Sequence, residues 1–116
     1  MITIESFRTL ALAFPEATEE AHFEKTSFRI KHKIFATYDQ KHNRACIKLS
    51  ETDQDVFCKS AKSIFYPVNN KWGKQGWTLI ELDGVHPDQF SDALRLAYCA
   101  VAPKKLSETV MLNIPD

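Results

Sequence analysis

With 116 residues and 13.3 kDa, the chain fits one domain around one core, the usual size being about 100–150 residues. An apolar share of 44%, a mean hydropathy of −0.31 and 15 basic against 15 acidic side chains exclude a disordered tail, a collagen-like chain and a coiled coil. No apolar run approaches the ~20 residues of a membrane span, and the opening Met1-Ile2-Thr3-Ile4-Glu5-Ser6 lacks the basic and apolar regions of a secretory signal.

Thr3 to Phe14 reads as a helix, with Thr3 as its cap and Ile4, Phe7, Leu10, Ala11 and Phe14 on one face. Pro15 ends it, and the acidic, aperiodic stretch Glu16–Glu24 reads as a loop. Three strands follow: Ser27–Lys31, Lys33–Tyr38 and Arg44–Leu49. The polar connections between them, Lys31-His32-Lys33 and Asp39–Asn43, have the length of hairpin turns.

Ser50 then opens a short helix from Glu51 to about Ser60, with Asp53 at the capping-box position. Ile64–Tyr66 is a brief strand stopped by Pro67, Trp77–Leu82 is a fifth strand, and Asp83-Gly84 is a turn. Pro87 and Asp88 start the last main helix, whose inward stripe is Phe90, Leu94, Ala97 and Val101. The stretch 1–106 is one domain, and 107–116 is a tail whose order the sequence leaves open. The expected fold class is therefore α+β, in the order α-β-β-β-α-β-β-α, with helices mainly on one face of a five-stranded antiparallel sheet.

Cys46, Cys58 and Cys99 are odd in number, widely spaced and set in or beside apolar stretches. They read as packing residues in a reducing, cytoplasmic setting. Neither phosphate-cradling glycine loops nor nucleophile or metalloprotease motifs occur. The histidines lack the short spacing of metal ligands, so no metal, cofactor or catalytic residue is expected. Glu81 and Asp83 share a strand face but read as an exposed strand end.

Charge is unevenly spread. Residues 1–21 carry a net −3, whereas residues 22–49 carry a net +5. Paired as antiparallel strands, Arg29, Lys31, Arg44 and Lys48 would project from the face opposite the apolar one, with Lys41 in a turn. The loop Asn69–Trp77 sets Lys71, Trp72 and Lys74 close together, cations for phosphate and an indole for stacking. The same two tryptophans, Trp72 and Trp77, could equally close the open end of the core.

The runs Glu19-Glu20-Ala21-His22-Phe23, Lys25-Thr26-Ser27-Phe28-Arg29-Ile30 and Lys33-Ile34-Phe35-Ala36 resemble the MmcQ/YjbR-like family. So do Gly76–Leu82 and the segment from Ala97-Tyr98 to Leu106, and the resemblance spans about Ile2 to Leu106. It implies a compact, secretion-chaperone-like α+β domain and DNA binding through a double wing of β-hairpins. By position, the turn Asp39–Asn43 and the loop Val68–Gly76 are the candidate wings. The family offers no catalytic residue to carry over.

Three readings follow. In the first, a cytoplasmic protein, its oligomeric state left open with a monomer favoured, binds nucleic acid weakly through Arg29, Lys31, Lys41, Arg44, Lys71 and Lys74, with Trp72 as the stacking contact. In the second, a protein partner or small ligand is bound in an aromatic cleft near Phe35, Tyr38, Trp72 and Trp77. A third reading, an enzyme, would need His22, Glu24, Glu81 and Asp83 gathered in one pocket.

Overall fold

In the computed structural model, residues 2–112 are described. Helix α1 (Ile4–Leu12) begins where the Thr3 side chain accepts the Ser6 N–H at 3.1 Å, which satisfies one of the free amides at a helix start. It buries Phe7 and Ala11.

The acidic stretch expected to be a loop forms an edge strand, β1 (Thr18–His22), paired antiparallel with β2 (Lys25–Ile30). The sheet therefore has six strands, not five. No apolar alternation marks β1, because four of its five residues are exposed. Backbone pairing holds it, aided by Arg8 gripping Glu19 at 2.7 Å and Arg29 lying 3.8 Å from Glu20.

The remaining strands are β3 (Lys33–Asp39), β4 (Arg44–Lys48), β5 (Phe65–Pro67) and β6 (Trp77–Glu81), in the sheet order β1-β2-β3-β4-β6-β5 with every pairing antiparallel. Helices α2 (Glu51–Ser60), α3 (Lys71–Lys74), α4 (Pro87–Val101) and α5 (Lys104–Leu112) complete the fold. Ser50 caps α2 as read from the sequence, and the His86 ring caps α4 by accepting the Asp88 N–H. The tail begins as α5, with Leu106 and Val110 packed toward the core; residues 113–116 lie outside the described residues.

Helix α4 covers β3 and β4, and the core between them is aromatic. Phe7 stacks on Phe28 and meets Phe90 edge-on, both at 5.0 Å, while Phe35 meets Tyr98 at 5.5 Å. Edge and stacked geometries of this kind suit the ring quadrupole. The Tyr98 hydroxyl donates to the Pro15 carbonyl at 2.8 Å, so the buried ring leaves no polar atom unmatched.

One irregularity decides which side chains face outward. Phe28 pairs with Ala36 but Arg29 pairs with Ile34, a β-bulge that leaves Phe35 as the extra residue. Phe35 and Ala36 both point into the core and are fully buried. Ile34 and Thr37 therefore take the opposite, uncovered face.

Candidate functional site

The uncovered face carries a groove of about 490 Å³. Ile34, Thr37, Cys46 and Leu79 form its floor, each supplied by the outward phase of a central strand. Val68, Trp72 and Trp77 wall one end, while His22, Lys25, Asp39, His42 and Arg44 rim the other. Four residues of β4 separate the ends, or ~13 Å at the strand rise. The size and the apolar floor with a few polar groups match a small-molecule or side-chain site.

The indole wall is held in place by backbone constraints. Asn70 accepts the Trp72 N–H at 2.8 Å and so caps α3. Gln54 on α2 reaches across to the carbonyls of Gly73 and Trp77 at 2.9 and 3.2 Å. Gly76 has φ +105, and a Cβ there would lie 1.9 Å from the Leu49 carbonyl oxygen. Only glycine fits that approach. Trp72 itself is 48% exposed, with the Lys71 ammonium 5.4 Å from its ring centre.

At the polar end the charges pair with one another, although the buried Arg44 Nε makes no hydrogen bond. The His42 ring lies 2.9 Å from Asp39. Burial raises the Asp39 carboxyl, but hydrogen bonds from the His42 ring and backbone outweigh it and hold the group below its usual range. Arg44 sits 3.3 Å from Glu81, which also accepts the Tyr66 hydroxyl. Burial pushes the Cys46 thiol up to about 11, so the floor holds a neutral thiol rather than a nucleophilic thiolate.

A family model described as YjbR matches residues 12–100. The chain belongs to the YjbR family. No curated protein matches this YjbR chain. The crystal structure of the Deinococcus radiodurans protein DR2400, with the domain DUF419, is similar to it at a TM-score of 0.79 and 20% identity, covering 100% of this chain and 91% of that one. At that identity the likeness speaks for the fold.

The YjbR fold separates the cations that the sequence had grouped. Arg29 donates to Ser27 and lies beside Glu20. Lys31 stands in the turn rather than on the strand, at φ +51, and reaches Glu16 at 2.6 Å. Arg44 belongs to Glu81. The acids of the first 21 residues and of β6 thus neutralise much of the basic face, and Lys48 is taken up by the Gln75 and Leu49 carbonyls. Lys41, Lys71 and Lys74 stay exposed. The turn Asp39–Asn43 and the loop Val68–Gly76 lie at opposite ends of β4, by the pairing of Arg44 with Glu81 and of Lys48 with Trp77.

The aromatic cleft has a different membership from the one read in the sequence. Phe35 and Tyr38 lie on the core side, Phe35 because of the bulge and Tyr38 against Phe7, so only the two indoles remain. Ile34, Cys46 and Leu79 replace them; the alternation of β4 already sets Cys46 with Arg44 and Lys48 opposite the buried Ala45 and Ile47, whereas nothing in the sequence marks Ile34 as outward. His22, Glu24, Glu81 and Asp83 are not gathered: His22 is on β1 and Glu81 on β6, four strand spacings or ~19 Å across the sheet, while Asp83 accepts from Asn43 at 2.7 Å. Among the described residues no group of three His, Cys, Asp or Glu side chains could hold a metal, and no helix is long and apolar enough to cross a membrane.

Proposed function

We propose that this YjbR domain is a non-catalytic binding module that receives an apolar or aromatic group in the groove walled at one end by its two indoles. The observation that carries this reading is the open apolar floor of Ile34, Cys46 and Leu79 beside Trp72 and Trp77, on the face the helices do not cover. A buried ring there removes apolar area from water on both partners, the dominant favourable term in such contacts. The rim adds orientation more than charge, since Asp39 with His42 and Arg44 with Glu81 are already matched. Three free cysteines fit a reducing cytoplasm.

The test uses the dye 8-anilinonaphthalene-1-sulfonate. Both tryptophans of the chain line the groove, so bound dye should quench their emission and brighten. Trp72→Ala should weaken binding at least tenfold while leaving the fold intact. Equal binding by the variant and the parent would refute the reading.

A second reading, weak nucleic-acid binding, draws support from the exposed Trp72 flanked by Lys71 and Lys74. Of the cations singled out by sequence, only Lys41, Lys71 and Lys74 remain exposed without an ion-pair partner among the described residues, and so few phosphate contacts predict low affinity that falls with salt. Titration of duplex and single-stranded DNA at low and moderate salt tests it; no binding at low salt ends it.

A further inference from the structure

The turn from β1 to β2 is only two residues long, Phe23-Glu24 between the paired His22 and Lys25. Phe23 has φ +58 and is 93% exposed. A bulky side chain in the left-handed region is an outlier, and a phenyl ring left in water forgoes its burial energy. Both costs fall on one residue. Its neighbours in the turn, His22 and Lys25, are rim residues of the groove, and the His22 ring meets Phe23 edge-on at 4.9 Å. The molecule thus carries an exposed aromatic ring beside the polar rim of an unfilled groove, whose indoles stand at the far end.

We infer that the groove's occupant is Phe23 of a second copy of this chain, in a two-fold dimer that seats both rings at once. This rests on the reading of the groove as a binding site. Because ring and groove lie side by side on one molecule, a single two-fold axis between them satisfies both contacts, the self-complementary arrangement that closed dimers require. Charge agrees with it. Glu24 travels with Phe23, exposed and without an ion-pair partner among the described residues, and the groove it would approach has exposed Lys25 on its rim and exposed Lys71 next to Trp72 of its indole wall. A charged ligand head is a poorer match, since the Asp39 and Arg44 groups at the rim already have partners.

The experiment is sedimentation velocity of the full chain from low micromolar to millimolar concentration, with Phe23→Asn and Trp72→Ala beside the parent. Asn tolerates a positive φ, so Phe23→Asn should keep or raise the unfolding midpoint while abolishing self-association. Trp72→Ala should abolish it too. A parent that stays monomeric throughout, or a Phe23→Asn chain that dimerises as tightly as the parent, overturns the inference. The dye titration repeated on Phe23→Asn separates the two failures. If dimerisation fails while Trp72-dependent dye binding persists, the groove reading stands and only the second copy is wrong. If dye binding is lost as well, both are wrong.

Discussion

Arg44 and Glu81 face each other across β4 and β6, 3.3 Å apart on the uncovered side of the sheet. Glu81 also accepts the Tyr66 hydroxyl, so one carboxylate links three strands. The Tyr66 phenol is pushed up in pKa by burial and then by Glu81 itself, and stays a hydrogen-bond donor at neutral pH. Both charged side chains are about one-third exposed, which screens the pair. Arg44→Ala should therefore cost about 1 kcal/mol, and an Arg44/Glu81 double-mutant cycle in urea should return a coupling below ~1 kcal/mol.

Gly76 and Gly84 provide a contrast in backbone demand. Alanine at Gly76 meets both a positive φ and the Leu49 carbonyl, whereas alanine at Gly84 meets only the mobile end of Ile64 at 2.5 Å. Gly76→Ala should lose at least about 2 kcal/mol and shift Trp77 emission. Gly84→Ala should lose less in the same denaturation experiment.

Phe35 and Trp72 should separate stability from binding. Phe35 is fully buried against Phe14 and Tyr98, so Phe35→Ala should cost about 3–5 kcal/mol. Trp72→Ala, at a half-exposed position, should cost under about 1 kcal/mol yet remove dye binding. Thermal unfolding and dye titration on the same two variants check both halves.

Much of this was legible in the sequence where local chemistry acts alone. Ser50 as a cap, Glu51–Ser60 as a helix and Pro87 as a helix start need only their neighbours. Strand β1 was not legible, because Glu19 and Glu20 are held by backbone pairing and by arginines from α1 and β2. The bulge at Phe28/Arg29 was equally hidden, since one extra residue reverses the faces of Ile34 and Phe35 without changing composition. The candidate cations were individually visible, but their acidic partners Glu16, Glu20 and Glu81 come from other elements. Trp72 was found by sequence alone; Leu79 and Cys46 beside it were not.

Asp39 sets a pH dependence. Its carboxyl is depressed in the fold despite burial because His42 hydrogen-bonds to it. The stabilisation is therefore complete above the ordinary carboxylate value near ~4 and fades as pH falls through the lower folded value. Asp39→Asn should lower the unfolding midpoint at neutral pH and flatten its fall in acid, as read by melting curves across the acid range.

The groove is tested most directly by amide and indole N–H spectra of the labelled chain, titrated in separate samples with the anilinonaphthalene dye and with a short DNA duplex. A groove that binds an apolar ring gives saturable dye-induced shifts confined to Ile34, Thr37, Cys46, Leu79 and the two indoles, whereas the duplex produces only small, salt-sensitive shifts at Lys41, Lys71 and Lys74. Dye shifts spread over α4 and α5, with Ile34 and Leu79 unmoved, would contradict it.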